Sequence, residues 1–176
     1  MGGKVAGNNN MKKIIIIDGG PRRNMNTAAL CDAFAEGAKG VSPEIEVERV
    51  RLYDLPPFRG CVSCLACKLK GRETGFCAVR DSLTDTLRAV NAADGLVIAS
   101  PIYFSEWTAV TRAFLERLVF PWLSYEDFSC AAPTVAATDL KPSVAIVSCN
   151  DGLRPVIMKL EATDEESKID YHPIER

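Results

Sequence analysis

Short apolar runs alternate along the chain with stretches in which apolar residues recur at helical spacing. Residues 12–18, 95–100 and 142–148 are largely aliphatic, as expected for strands that are buried on both faces of a parallel sheet. Residues 45–52 instead alternate apolar with charged side chains, which indicates an edge strand with one solvated face. The pattern therefore predicts four strands.

Helical periodicity fills the intervals between these strands. Apolar side chains recur every three or four positions in residues 26–40, 81–90 and 106–119, and Asp81 stands where it can cap the second of these helices. Strands that alternate with helices predict a doubly wound, parallel α/β fold of three layers. In such folds, ligands bind beyond the carboxyl ends of the strands.

The chain divides into three parts. We expect residues 1–11 to be a disordered head and residues 12–154 to form the α/β domain, with a cysteine-rich loop at residues 58–80. Residues 155–176 are an acidic tail or a divergent edge element. Neither a fifth strand nor a last helix is recognisable beyond Arg154, so the last strand of the sheet is left open.

Composition and charge narrow the functional classes. A chain of 176 residues buries roughly 70% of its unfolded surface, so its seven cysteines are not needed to make a core. A net charge of -2 argues against a nucleic-acid surface, which needs a basic face. The longest aliphatic run, residues 14–17, is far too short for a membrane span, and the polar start lacks the apolar core of a signal peptide. We therefore expect a cytoplasmic protein with no nucleic-acid or membrane partner.

The loop after the first strand, GGPRRNMNT, has the composition of a phosphate site. Its glycines allow close backbone approach, Arg22 and Arg23 supply cations, and Asn26 and Thr27 stand at the start of a helix, where backbone N–H groups attract anions. The loop matches neither the Walker motif nor the GxGxxG spacing, so a monophosphate suits it better than a triphosphate. The alternative is an ordinary turn between a strand and a helix.

Aromatic residues follow the strand at residues 95–100. Pro101, Tyr103, Phe104 and Trp107 come directly beyond its end, where a flat heteroaromatic ring can stack. The alternative is that Tyr103 and Phe104 pack beneath the helix that follows.

The cysteine-rich loop has the spacing of a metal site. Cys61, Cys64 and Cys67 are each separated by two residues, and Cys77 follows after nine more. Three thiolates at this spacing reach one face of a cubane iron-sulfur cluster, which the fourth thiolate completes. A zinc site with four cysteines fits the spacing as well, and the third interpretation is a set of free thiols whose pKa values nearby lysines and arginines lower.

Three segments resemble, in sequence and in order, the NADPH-dependent FMN reductase family close to its iron-sulfur flavoprotein branch: GGPRRNMNTAAL, CVSCLACKLKGRETGFCAVRDS and AADGLVIASPIYFSEWTAVTRAFLERL. The resemblance covers about residues 12–150. It implies a flavodoxin-like fold and FMN as the cofactor. It further implies electron transfer from NAD(P)H to an acceptor, and assembly as a homodimer or homotetramer.

The same resemblance implies a set of cofactor-binding residues. The FMN phosphate would be bound by the first loop, at Gly20, Pro21, Arg22, Asn26 and Thr27. The ribityl chain and the isoalloxazine ring would be bordered by Pro101, Ile102, Tyr103, Phe104, Ser148, Cys149, Asn150 and Gly152. The chain departs from the family at Gly20, where a serine is usual, so that backbone amides must replace one hydroxyl. It also departs in the long gap before Cys77.

Three functions are therefore open. The first is an FMN-dependent oxidoreductase that passes electrons from NAD(P)H through the flavin to a small-molecule or protein acceptor, with no catalytic side chain needed because the cofactor performs the chemistry. The second is an iron-sulfur flavoprotein electron carrier with a 4Fe-4S cluster at the four cysteines. The third is a non-enzymatic thiol or zinc redox-sensing module.

Overall fold

A β-sheet with helices on both faces makes up the protein in a computed structural model. The structure describes residues 11–72, 75–123, 143–148, 156–160 and 170–173. The strands are β1 (Lys12–Asp18), β2 (Ile45–Arg51), β3 (Gly95–Tyr103), β4 (Glu106–Trp107), β5 (Ser143–Ser148), β6 (Val156–Leu160) and β7 (Asp170–Pro173). The helices are α1 (Asn26–Val41), α2 (Thr84–Ala92) and α3 (Ala109–Val119), with short 3-10 turns at Leu52–Asp54, Ala66–Lys68 and Phe120–Trp122.

The sheet has the strand order β2-β1-β3-β5-β6-β7, and β4 pairs with the end of β3. The first four strands of this order are parallel to one another. β6 is antiparallel to β5, and β7 is antiparallel to β6. The parallel strands with helices on both faces confirm the predicted α/β fold class.

The aliphatic residues of β1 explain why both faces of the sheet are covered. Ile15 and Ile17 pack in one core cluster with Leu87 of α2 and Phe114 of α3, and Ile16 packs in a second cluster with Cys31 of α1. All of these side chains are 4% exposed or less. Burying an apolar side chain of this size contributes about 1.5–3 kcal/mol, so the five isoleucine, leucine and phenylalanine side chains are a main source of stability.

The start of the third helix differs from the prediction. We expected a helix from Glu106, but Glu106 and Trp107 form β4 and pair with Tyr103 and Ile102, so β3 continues beyond Ser100 and α3 begins at Ala109. The turn residues Phe104 and Ser105 both have positive φ angles, of 51° and 66°. A two-residue turn with positive φ at both positions is the one that joins the strands of a tight hairpin.

The end of the chain also differs from the prediction. Two strands, β6 and β7, lie beyond Arg154, where no strand was recognisable. They complete one edge of the sheet, with β6 antiparallel to β5 and β7 antiparallel to β6. Of the predicted head at residues 1–11, all but Met11 lie outside the described residues. Within the described ranges, every helix is too short or too polar to cross a membrane.

Asp81 does not take the helix-capping position that the sequence predicts. α2 begins at Thr84, and Leu83 precedes it. The Asp81 carboxylate instead accepts a hydrogen bond from the Leu83 N–H (3.1 Å) and pairs with Arg117 of α3. The sequence pattern assigned the Asp81 carboxylate to the start of α2, but in the structure it pairs with the buried Arg117.

Candidate cofactor site

The loop between β1 and α1 is open at the start of the helix. Met25 stands before the first residue of α1, and its side chain does not cap the helix. Pro21, Arg22 and Asn26 are exposed, whereas Thr27 is buried. Uncapped N–H groups at a helix start, beside an exposed guanidinium, form an anion-binding arrangement.

Among the residues that the structure describes, a carboxylate pairs with Arg23 of this loop but not with Arg22. Arg23 donates to Asp54 (2.7 Å), which ties the loop to the turn after β2. Arg22 forms no ion pair with any residue that the structure describes. Arg22 is therefore the cation that this loop leaves for a bound anion.

Glycine is required where the loop leaves β1. The Gly19 N–H donates to the Ala99 carbonyl (2.7 Å), and a Cβ atom at Gly19 would lie 1.7 Å from the Thr111 Oγ1 atom. The Gly20 N–H donates to Asp18 Oδ1 (2.8 Å). The amide of Gly20 is thus engaged within the chain, whereas the start of α1 carries no side-chain cap and Arg22 is exposed.

A buried ion cluster supports this loop from below, and the sequence analysis missed it. Asp18 is fully buried and accepts hydrogen bonds from Arg49 Nε (3.1 Å) and Arg51 Nη1 (3.0 Å), while Arg51 Nη2 also donates to the Gly20 carbonyl (3.3 Å). Burial opposes the charge on Arg49, but the hydrogen bond and charge of Asp18 outweigh it and raise the pKa of Arg49 above its usual value. The signal in the sequence was the pair of arginines two positions apart on β2, which share one face of that strand.

The aromatic residues beyond β3 lie at the surface. Phe104 is fully exposed, at 103%, and Tyr103 and Ile102 are 44% and 40% exposed. The alternative that Tyr103 and Phe104 pack beneath the following helix is therefore wrong, because the hairpin lifts them away from α3. Apolar side chains exposed next to an open anion-binding loop form a surface on which a flat ring can stack.

The third predicted part of the site, at the end of β5, lies only partly within the described residues. Ser148 ends β5 and pairs in register with Pro101, so its backbone is adjacent to the aromatic hairpin. Cys149, Asn150 and Gly152 lie outside the described residues. The structure thus brings the ends of β1, β3 and β5 together at one edge of the sheet, as predicted for a parallel α/β fold.

The cysteine-rich loop forms a separate feature beside the last turns of α3. Cys61, Cys64, Cys67 and Cys77 all line one cavity of about 20 Å³, together with Arg117. Cys64 is exposed and the other three are half-buried. No three of the histidine, cysteine, aspartate and glutamate side chains within the described ranges are grouped closely enough to hold a metal ion.

Lys68, which lies next to Cys67, bonds the backbone at the end of α3. The Lys68 ammonium donates to the carbonyls of Phe120 (2.7 Å) and Pro121 (2.9 Å), which anchors the loop to the end of α3. Burial raises the pKa of Cys67, and the nearby charge of Lys68 only partly opposes this. The expectation that neighbouring cations lower the thiol pKa values is therefore wrong for Cys67.

Arg117 forms the buried floor of the same cavity. It is 1% exposed, pairs with Asp81 (2.5 Å) and donates to the Val79 carbonyl (3.1 Å). Its Nε atom is buried and has no hydrogen-bond partner in the part of the chain that the structure describes. A buried guanidinium therefore lies beside the four thiols.

Comparison with protein families gives one match over most of the chain. Residues 12–164 match the family model described as NADPH-dependent FMN reductase. Curated relatives include an iron-sulfur flavoprotein of Archaeoglobus fulgidus, 29% identical over 60% of this chain and 48% of that protein. Another, from Methanocaldococcus jannaschii, is 32% identical over 60% of this chain and 51% of that protein. The chain spans about half the length of these relatives.

Solved structures share the fold at lower identity. One is an NAD(P)H:quinone oxidoreductase from Methanothermobacter marburgensis, 17% identical with a TM-score of 0.59 over 78% of this chain and 65% of that chain. Another is an FMN-dependent NADH-azoreductase from Bacillus anthracis, 16% identical with a TM-score of 0.53 over 78% of this chain and 69% of that chain. These likenesses support the three-layer α/β architecture.

Proposed function

The chain belongs to the NADPH-dependent FMN reductase family, and from that premise we propose that it binds FMN where β1, β3 and β5 end. We further propose that it passes electrons from NAD(P)H through the flavin to a small-molecule or protein acceptor. The observation that carries the proposal is the position of an open helix start with a free cation directly beside an exposed aromatic hairpin.

The first loop fits a flavin phosphate. The start of α1 carries no side-chain cap, and Arg22 is exposed and without an ion pair among the described residues. An anion at a helix start is stabilised by the backbone N–H groups and by the helix dipole. In this role Arg22 and Asn26 bind the phosphate directly, whereas the buried Asp18 cluster fixes the backbone of the loop.

The hairpin fits the flavin ring. Ile102, Tyr103 and Phe104 expose apolar surface at the adjacent strand end, and a bound ring would cover it. Bound FMN supplies hydride and single-electron chemistry, so that no acid or base on the protein is required. The residues of this chain then have three tasks: to bind the phosphate, to orient the ring and to exclude water from one of its faces.

The proposal is tested by the affinity for FMN, measured by quenching of flavin fluorescence. Arg22→Met removes a charged donor, and we expect the dissociation constant to rise about 10-fold or more, since a hydrogen bond to a charged group contributes about 1.5–3 kcal/mol. Lys39→Met removes an equal charge from the opposite end of α1 and is the matched control. The proposal is wrong if the unaltered protein does not bind FMN, or if both variants bind it equally well.

A second function, that of an iron-sulfur flavoprotein electron carrier, is favoured by the cavity that all four cysteines line. Relatives that match the chain carry the name iron-sulfur flavoprotein. The donor chemistry suits a 4Fe-4S cluster, whose four irons are held by thiolates. Since no three of the potential ligands in the described ranges are grouped as a metal site, the loop would have to draw its thiols together around the cluster.

This second function predicts iron and acid-labile sulfide after anaerobic reconstitution. Cys64→Ser should lose the cluster. Cys31→Ala should keep it, because Cys31 is a residue of α1 whose thiol is buried in the core. Reconstitution that yields no iron in the unaltered protein would leave the FMN oxidoreductase as the function. Zinc in place of iron would favour the sensing module.

We propose a nicotinamide cofactor and an electron acceptor as partners, and a homodimer or homotetramer as the assembly. Light scattering during size-exclusion chromatography measures the assembly, and a monomer at micromolar concentration would contradict it. We also propose a cytoplasmic location. It is supported by the five free cysteines among the described residues, which suit a reducing compartment.

A further inference from the structure

We propose that Thr108 is a positioning residue that fastens the phosphate loop to the base of the flavin hairpin. This inference rests on the proposed function, because it concerns how the FMN site is held in shape. Thr108 directly precedes α3 and is 1% exposed. Its side chain is therefore shielded from solvent.

Thr108 stands at the position where threonine ordinarily caps a helix. There its hydroxyl would accept a hydrogen bond from a backbone N–H of the first turn. In this protein the Thr108 side chain makes no such bond. Its Oγ1 atom lies instead 2.9 Å from the carbonyl oxygen of Gly19, which is 89 residues away in sequence. The Thr108 hydroxyl therefore bonds the phosphate loop instead of capping α3.

The direction of the hydroxyl bonds follows from chemistry. A carbonyl oxygen only accepts, so the Thr108 hydroxyl must donate its single proton to Gly19. The Thr111 hydroxyl, 2.8 Å away, therefore donates to Thr108. Ser100 at the base of the hairpin is fully buried and accepts the Thr108 backbone N–H (3.1 Å). One residue thus joins β1, β3 and α3 at the point where both proposed cofactor loops begin.

The side chains of Thr108 and Thr111 also pack closely against the phosphate loop. A Cβ atom at Gly19 would lie 1.7 Å from Thr111 Oγ1 and 3.1 Å from Thr108 Oγ1, so the loop backbone rests directly on these two side chains.

The backbone and side-chain bonds of Thr108 differ in what a substitution removes. Thr108→Val keeps the shape of the side chain and the backbone N–H that binds Ser100. It deletes the donor to Gly19 and, with it, the oxygen that accepts from the Thr111 and Ser100 hydroxyls. The change therefore acts on the phosphate loop more than on the hairpin. FMN has a phosphate and riboflavin does not, so the ratio of their affinities reports on the phosphate loop alone.

The experiment measures dissociation constants for FMN and riboflavin by fluorescence quenching, with urea unfolding of each variant. For Thr108→Val we expect the dissociation constant for FMN to rise about 10-fold, as for a buried carbonyl left without its partner, and that for riboflavin to rise less than about 3-fold. Thr108→Ser retains the hydroxyl and should restore the FMN preference. Thr84→Val is the matched control, because Thr84 also stands at a helix start and bonds Val79 and Asp81, far from the loops.

Each outcome decides the matter. An unaltered protein that binds neither flavin would overturn the proposed function and the inference with it. An unaltered protein that binds FMN, together with a Thr108→Val variant of unchanged FMN preference, would overturn the inference alone. An equal loss of preference in Thr84→Val, or no rescue by Thr108→Ser, would mean that general stability rather than positioning is being measured, and would overturn it as well.

Discussion

Replacing Gly19 by alanine tests how closely the phosphate loop packs on α3. The added Cβ would lie 1.7 Å from Thr111 Oγ1 and 3.1 Å from Thr111 Cβ, whereas carbon atoms pack at about 3.5–4.0 Å. The φ angle of Gly19 is not in the left-handed region, so alanine can adopt the backbone and the cost is steric.

The magnitude follows from two effects. Overpacking a filled core costs about 1–3 kcal/mol. If Thr111 rotates away to make room, its 2.8 Å hydrogen bond to Thr108 is lost, which adds about 1 kcal/mol. We therefore expect Gly19→Ala to lower the free energy of unfolding by about 2–4 kcal/mol in urea titrations.

A double-mutant cycle separates the clash from other causes. Thr111→Ala removes the hydroxyl that the new Cβ would meet, so the double variant should be more stable than the sum of the single changes predicts, by about 1–2 kcal/mol. Gly37→Ala is the matched control: nothing lies within 4 Å of a Cβ there, and alanine inside a helix should stabilise by about 0.5–1 kcal/mol. A Gly19→Ala variant within about 0.5 kcal/mol of the unaltered protein, or an additive cycle, would refute the packing described here.

Three further predictions concern groups outside the phosphate loop. Arg117→Met leaves the Asp81 carboxylate without its buried partner, and we expect a loss of about 3 kcal/mol in urea unfolding, at the low end for such pairs because the Asp81 side chain is 22% exposed; a loss below about 1 kcal/mol would contradict the pairing. Burial raises the pKa of Cys31 from 9.0 to about 12, so the unfolded chain loses this proton first, and the stability that Cys31 contributes is present below pH 9 and lost as the pH rises from 9 to 12. The measurement compares the unfolding of the unaltered protein and Cys31→Ala at pH 8 and pH 10, and a difference independent of pH would count against it. Lys68→Met should expose the cysteine-rich loop to faster proteolysis, whereas Lys70→Met, at an exposed lysine in the same loop, should not; equal cleavage of both would show that Lys68 does not anchor the loop.

The parts of the fold that sequence predicts are those with a strong local signal. The isoleucine run of β1 is buried on both faces as its pattern indicates, and the glycine loop and the start of α1 follow it in the predicted order. The position of such a run in the fold is easy to predict, because an aliphatic strand without polar positions can only lie inside a sheet. The predicted α/β fold class is confirmed for this reason.

The parts that sequence missed depend on contacts between distant residues. Phe104 and Ser105 carry none of the Asn-Gly signals of a tight hairpin, and only pairing of β4 with β3 accounts for their positive φ angles. The strand β6 is set by its antiparallel neighbour β5 rather than by a strong pattern of its own.

The burial of charged residues near the candidate site could not be predicted from sequence for the same reason. The alternation of β2 predicted a solvated face, yet Arg49 and Arg51 turn to the buried Asp18 on the neighbouring strand. Arg117 is buried because it meets Asp81, 36 residues earlier. A charge is buried only with a partner, and the partner is not visible in the local sequence.

The central claim is that the chain binds FMN, and an anaerobic absorption spectrum tests it most directly. The protein is incubated with excess FMN, freed of unbound flavin and measured together with its iron, zinc and sulfide content. We expect a two-band flavin spectrum with about one FMN per chain, to which an iron-sulfur cluster would add broad absorption. A folded protein that emerges colourless would show that the chain does not bind FMN.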